Sequence, residues 1–367
     1  MRVLHVIQEL GTGGAERIVL TLADGSIALG DTVALAAADG PLAASFPGPR
    51  YDLPIVARRP QRLAAAAFAI ARAVRHFRPD VVHVHNPAVA LAAAMAWPLA
   101  GRPQMLTTIH GVTGADYGRL SRFARVLPGP LVACGPAVGA AMRAAGCRVD
   151  HIVINGVAPF LVPASADDTI SRLTARAAVR AELGVRDDQR MLIVVGRLVE
   201  PKNQALAIRA VARLSEHVLV LAGSGTQREE LERQAHSLGV ADRVRFLGDR
   251  TDARVLLAVA DVVVVPSRRE GLSLAVLEAL WSGTPIVATA VVGVRELLVD
   301  GRDALLVPDD DTDALVDALH RLATDSSLGV ALARKALAVA PEYGADRMVG
   351  AYQEMYEQLA TGSGTTR

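Results

Sequence analysis

Cysteine, aromatic residues and a surplus of either charge are what this 367-residue chain has least of. The two cysteines, Cys134 and Cys147, form no C-x-x-C pair. That excludes a disulfide framework or a thiolate zinc knuckle and suits reduced thiols inside a cell. Aromatics make up 4% of the residues, too few for a base-stacking platform. Lys+Arg of 39 against Asp+Glu of 38 removes the basic excess on which nucleic-acid binding depends. Long apolar runs are also missing. The greasiest stretch, residues 88–100, contains Pro98 and falls short of the ~20 residues needed to cross a bilayer. Near the start, Gln8 and Glu9 interrupt "VLHVIQEL", so no secretory h-region is expected. These absences predict a cytoplasmic protein; a monomer or a homodimer is expected, and nothing in the sequence chooses between them. Membrane contact would be peripheral at most, through arginines such as Arg58, Arg59, Arg62 and Arg75, for which a solvated helix face is the simpler reading.

What is present is an alternating pattern. Short Val/Ile/Leu runs at residues 3–7, 33–37, 81–85, 105–109 and 131–133 read as strands, and residues 62–76 as an amphipathic helix. Runs that are apolar throughout suit parallel strands covered on both faces. Strand–helix alternation then implies a doubly wound sheet. A Pro/Ala/Asp-rich linker, "PFLVPASADD" at residues 159–168, interrupts the pattern. It resumes with strands at 192–195, 218–221, 244–246, 262–265, 286–288 and 304–307. The reading is two Rossmann-like domains, residues 1–165 and 166–344, a closing helix at 345–360, and a frayed tail "ATGSGTTR".

Open parallel sheets bind ligands at the carboxyl ends of their strands, so residues just after strands are the candidates. Gly11 to Arg17, "GTGGAER", follows the first strand; glycines there let backbone amides approach a phosphate. The spacing is neither a Walker loop nor G-x-G-x-x-G, which disfavours a nicotinamide cofactor. In "VGRLVEPKNQ", Arg197 and Lys202 follow a strand and could neutralise a diphosphate. His110 ends another strand, where an imidazole could donate a hydrogen bond or shuttle a proton. His83 and His85 share a face at period two, but no Cys or Glu stands at ligand spacing, which disfavours zinc. The acidic runs Asp167–Asp168 and Asp309–Asp311 read as a linker and a helix N-cap rather than metal ligands.

The stretch "PSRREGLSLAVLEAL" carries Glu270 in the loop after a strand or at the first turn of an apolar helical run, and Glu278 within that run. Helix amides from Gly271, Leu272, Ser273 and Leu274 would face an anion. On one helix, Glu278 would lie ~12 Å beyond Glu270, comparable to the reach from a sugar across a diphosphate to a ribose.

These elements together resemble the retaining GT-B glycosyltransferases of family 4, from nearly the first residue to about 360. "GTGGAER", "VGRLVEPKNQ", "AGSGTQREEL" with "VRFLG", and "PSRREGLSLAVLEALWSGTPIVAT" carry the match, the last with an E-x7-E pattern as Glu270 and Glu278. The resemblance implies two Rossmann-like domains facing across a cleft, the first binding the acceptor and the second the nucleotide-sugar. It places the Gly13 and Gly14 backbone near the donor phosphate, Arg197 and Lys202 on the diphosphate, Glu270 on the donor sugar and Glu278 on the ribose. His110 would sit near the reacting sugar, and Gly223, Phe246 and Gly248 would border the nucleotide. It implies a UDP-sugar by preference, a GDP-sugar as alternative, retention of anomeric configuration, and no metal or other cofactor. The acceptor stays open among a saccharide, a lipid-linked species and a small metabolite. Ala158 and Ala304 depart from the family's usual residues, in loops outside the proposed site. A sugar-nucleotide epimerase on this architecture and a non-catalytic nucleotide-sugar-binding protein are the competing readings.

Overall fold

The computed structural model describes residues 1–56, 60–111, 114–160 and 166–362. Arg58, Arg59, Thr113, linker residues 161–165 and tail residues 363–367 lie outside the described residues. The chain divides into two compact units, Met1–Ala158 with Tyr343–Arg367, and Pro159–Glu342.

The first unit holds a seven-stranded parallel sheet: β1 (Arg2–Glu9), β2 (Thr32–Ala38), β3 (Arg50–Asp52), β4 (Val81–His85), β5 (Gln104–Ile109), β6 (Leu131–Ala133) and β7 (His151–Ile152). Their order is β3-β2-β1-β4-β5-β6-β7. The second unit has six parallel strands: β8 (Arg190–Val195), β9 (His217–Ala222), β10 (Val244–Gly248), β11 (Val262–Val265), β12 (Ile286–Thr289) and β13 (Leu305–Val307), ordered β10-β9-β8-β11-β12-β13. Both are the doubly wound α/β sheets that the apolar runs imply. Every residue of β4, β9, β11 and β12 is buried, because helices cover both faces. In the second unit Leu192, Val194, Leu219, Leu221, Val262 and Val264 pack one face against Leu206, Val211, Leu315 and Leu319 of the flanking helices.

Two strands give no sequence signal. β3 and β7 are short and largely exposed edge strands, so no apolar run marks them. The Asp311 carboxylate caps the Thr312–Thr324 helix by accepting from Ala314 N at 2.9 Å, as the acidic run suggested. Asp167 and Asp168, expected in the linker, instead fall in the first turn of the Ala166–Leu183 helix. Most of the expected 113–119 loop is the start of a Gly114–Phe123 helix. The closing helix, Ala345–Ala360, belongs to the first unit. There Tyr352 and Tyr356 are fully buried, and Val349 packs so tightly on Gly25 that a Cβ there would lie 2.4 Å from it.

Candidate active site

In a doubly wound sheet the loops diverge where chain order reverses, opening a crevice at the strand ends. In the second unit the reversal lies between β8 and β11, which pair directly. Gly196, Arg197 and Lys202 follow β8, and residues 266–270 follow β11. Residues 68 positions apart therefore converge: Lys202 Nζ lies 2.7 Å from Glu270 Oε1. Ser267 Oγ donates to the same oxygen at 2.6 Å. The pair lines a small recess with Gln204, Ser267 and Ala275, and the Glu270 side chain is only 7% exposed. Among the described residues Glu270 Oε2 has no hydrogen-bond partner, so one oxygen is held by the protein and one is left for a ligand hydroxyl. Arg197 is exposed and forms no ion pair among the described residues.

The two loops are braced against each other. Arg268 N donates to Pro201 O at 2.9 Å, and the Arg268 guanidinium bridges Glu200 and Asp310 at 3.2 and 3.0 Å. Thr289 Oγ1 donates to Ser267 O, tying the β11 loop to β12. Such cross-ties fix the carboxylate without using Arg197.

The helix carrying Glu278 begins later than expected. It spans Leu274–Ser282 with Ser273 as N-cap; Glu270 stands in the preceding loop, one of the two positions expected for it, but the ~12 Å of continuous helix between the two glutamates does not exist. Gly271 and Leu272 also precede the helix; only Leu274 among the four expected amide donors lies within it, next to its Ser273 cap. The backbone of Gly293 packs closely on this loop: a Cβ on Gly293 would sit 2.2 Å from Gly271 O. The Ser273 hydroxyl is buried, makes no capping bond and has no partner among the described residues. Glu278 is no solvated helix glutamate. Its side chain is 5% exposed and paired with Arg254 Nε at 3.1 Å, and that guanidinium lies 5.1 Å from the Phe160 ring centroid.

Gly223, Phe246 and Gly248 meet at the ends of β9 and β10. Gly223 N donates to Gly248 O at 2.8 Å. Gly223 has φ +148°, and a Cβ on it would fall 2.1 Å from Gly196 O. Only glycine fits there. Phe246 is half-buried, with the Arg228 guanidinium 5.7 Å from its ring centroid.

The first unit reverses chain order between β1 and β4. Gly13 is the N-cap of the Gly14–Ala28 helix with ordinary extended dihedrals, so backbone conformation does not itself demand glycine at this position. His110 follows β5, next to β4. Its Nε2 lies 3.0 Å from His85 Nδ1, its ring stacks on His85 with centroids 5.2 Å apart, and its backbone N–H points to Asn86 Oδ1 at 3.4 Å. His85 Nε2 in turn meets His5 Nδ1 at 3.2 Å. His83 bonds Tyr356 OH at 2.6 Å and Thr108 Oγ1 at 2.8 Å, and Thr108 Oγ1 meets Tyr352 OH at 2.9 Å. Burial lowers the His110 pKa to about 4 and that of His5 to about 3, and it holds His83 and His85 well below the usual imidazole value.

Sequence reasoning missed Ser267, Gln204, Arg254, His5, Tyr352 and Tyr356. Ser267, three residues before Glu270, carried a usable signal as the first polar residue after β11. Arg254 and the tyrosines carried none, because their partners come from remote strands and helices. His83 and His85 share a face as expected. Together with His5 they put three nitrogen ligands within 4.8 Å of one another, a spacing a metal ion could use. Yet both nitrogens of His83 and of His85 already hold hydrogen-bond partners.

Comparison with known proteins agrees with this architecture. Residues 12–156 match the family model "Glycosyltransferase Family 4", and residues 189–325 match "Glycosyl transferases group 1". The lipopolysaccharide core biosynthesis glycosyltransferase LpsE of Rhizobium meliloti is 38% identical over 43% of this chain, a match spanning 47% of that protein, less than two thirds of its length. A D-inositol 3-phosphate glycosyltransferase of Geodermatophilus obscurus is 33% identical over 83% of this chain and 73% of its own. The crystal structure of Anabaena Alr3699/HepE in complex with UDP and glucose superposes with a TM-score of 0.85, at 22% identity over 97% of this chain and 99% of that one. Similarity running through most of both chains, on two parallel-sheet units of this kind, shows that the protein belongs to the group 1 and family 4 glycosyltransferases and has their GT-B fold.

Proposed function

We propose that the protein transfers a sugar from a nucleotide-sugar to an acceptor hydroxyl, with retention of anomeric configuration and without a metal ion. The observation that carries this reading is the Lys202–Glu270–Ser267 cluster at the β8/β11 crevice, on the same strand-following loop as the exposed Arg197. A carboxylate with one oxygen held internally suits sugar hydroxyls. Cations next to it suit a diphosphate whose charge grows as it departs. A UDP-sugar is the first choice, supported by HepE, which has been crystallised in complex with UDP, with UDP-glucose, and with UDP and glucose. A saccharide, a lipid-linked species or a small metabolite remains the acceptor class.

In the proposed reaction the bond from the anomeric carbon to the phosphate oxygen breaks, and its electron pair leaves with the nucleoside diphosphate. The acceptor oxygen bonds the same carbon from the same face, and its proton passes to the departing phosphate. Arg197 and Lys202 stabilise that phosphate, Glu270 orients the sugar, and Glu278 with its partner Arg254 serves the ribose. Gly13 and Gly14 offer backbone amides to phosphate. Gly223, Phe246 and Gly248 border the nucleotide, with Gly271, Leu272, Ser273 and Leu274 beside the phosphates. His110 contacts a sugar hydroxyl.

The test is a thermal-shift screen of UDP- and GDP-sugars, then incubation of a radiolabelled donor with and without an acceptor panel. Stabilisation by one nucleotide-sugar, with label moving to an acceptor in the donor's anomeric configuration, is expected. A saturating ligand at about 100 times its Kd adds about 2.7 kcal/mol to stability. Conversion of the donor in the absence of any acceptor would make the protein an epimerase. Tight binding with no transfer to any acceptor would make it a binding protein.

A further inference from the structure

His5 on β1, His85 on β4 and His110 after β5 come from three adjacent strands and project from one face of the sheet. They form a single file: His5 Nδ1 to His85 Nε2 at 3.2 Å, and His85 Nδ1 to His110 Nε2 at 3.0 Å. The two terminal nitrogens, His5 Nε2 and His110 Nδ1, are buried and have no hydrogen-bond partner among the described residues. A neutral imidazole has one N–H and one lone pair. With both internal hydrogen bonds made, only two arrangements exist. Either every ring carries its proton on Nδ1, or every ring carries it on Nε2.

The two differ in where they leave an unmet donor. Protons on Nε2 would place a bare N–H at His5, which is 0% exposed in the middle of the sheet. Protons on Nδ1 place it instead at His110 Nδ1, which is equally buried but follows the end of β5 at the carboxyl edge of the sheet, where a bound ligand can accept from it. A buried N–H without a partner is tolerated less well than an unused lone pair. We propose that His5 and His85 are positioning residues that fix the tautomer of His110, so that His110 Nδ1 carries the proton and acts as a hydrogen-bond donor to the reacting sugar.

The file also limits what His110 can do. If His110 took up a proton as a base, the charge could pass along the file only to His5, which has no further acceptor. Burial disfavours a charged imidazole at every position of the file, most plainly at His5, whose pKa lies at about 3. The chain of rings is therefore a lock and no proton wire. Within the proposed transfer it assigns acceptor deprotonation to the departing phosphate and leaves His110 a neutral donor. His83 stands outside the file. Its two nitrogens are held by Tyr356 and Thr108, which orients the ring without a metal ion.

The inference rests on the proposed transfer only for the sugar contact; the tautomer can be measured without any ligand. Long-range proton–nitrogen NMR on the full chain labelled with ¹⁵N-histidine separates N–H from lone-pair nitrogens. The wild type is expected to show His110 protonated on Nδ1. His5→Leu removes a ring that does not touch His110; with circular dichroism confirming the fold, it is expected to mix the His110 tautomers. Turnover should fall about 2- to 10-fold, following the lost tautomer fraction, with the donor KM unchanged. His110 protonated on Nε2 in the wild type would overturn the assignment. So would stoichiometric Zn²⁺ binding that shifts the His5, His83 and His85 signals. A tautomer shift that leaves turnover unaltered would overturn the sugar contact alone.

Discussion

Lys202 and Arg197 follow the same strand, yet they make different experimental probes. Lys202 neutralises Glu270, so Lys202→Ala removes a ligand cation and also strands a carboxylate whose side chain is only 7% exposed. Arg197 is exposed and bears no internal ion pair among the described residues. We expect Arg197→Ala to lower turnover by about 10²-fold or more while the melting temperature stays within about 2 °C, as for a lost transition-state donor without a structural role. Near-normal turnover in that variant would remove Arg197 from the leaving-group site. The Arg254–Glu278 pair is asymmetric in a related way, since Arg254 is 33% exposed and Glu278 5%. Arg254→Ala should destabilise the protein more than Glu278→Ala, by about 1–3 kcal/mol, because the group that loses a cationic neighbour is the buried one. Glu278→Ala should chiefly raise the donor KM, because ribose contacts persist from ground state to transition state. Urea unfolding and steady-state kinetics on both variants check this order.

At the scale of elements, the closing helix is secured by specific polar contacts as well as by apolar burial. Tyr356 OH lies 2.6 Å from His83 Nδ1, and both residues are almost fully buried. Tyr356→Phe keeps the ring and strips the His83 nitrogen of its partner. A loss of about 1–3 kcal/mol in urea unfolding is expected, and no change would mean that the bond contributes nothing. The elements also differ in how legible they were. β4, β11 and the Pro60–Phe77 helix could be read from the sequence because burial on two faces or on one stripe writes a periodic pattern. β3 and β7 could not, since a short exposed edge strand has no apolar face to write one. The start of the Leu274–Ser282 helix was misplaced for another reason. Gly271 and Leu272 continue the apolar pattern, while the chain bends there and packs against the backbone of Gly293.

For the whole molecule, the four histidines clustered in the first unit make stability depend on pH. Their folded pKa values are depressed, to about 3 for His5 and about 4 for His110, below an unfolded value near 6.5. The unfolded chain therefore binds protons that the folded chain does not, and stability falls as pH drops from about 6.5 toward 4. Each histidine that stays neutral lowers stability by about 1.4 kcal/mol per pH unit in that window. Urea unfolding should show a clearly lower midpoint at pH 5 than at pH 7.5. Equal midpoints would show that the cluster accepts protons in the folded state. No helix among the described residues is long and apolar enough to cross a membrane, in keeping with the lack of a long apolar run.

By itself the sequence determined that two parallel, doubly wound sheets would form, and which strand-following loops would carry glycine, cation and carboxylate. Those properties are local: an apolar run is buried on both faces, and the residue after it lies at the sheet's carboxyl edge. Only the tertiary structure decided which groups meet. Lys202 and Glu270 are 68 positions apart, and the His5–His85 contact closes over 80, so both depend on strand order, which no local pattern encodes. The same holds for the burial of Glu278 and the seating of the tyrosines on His83 and Thr108.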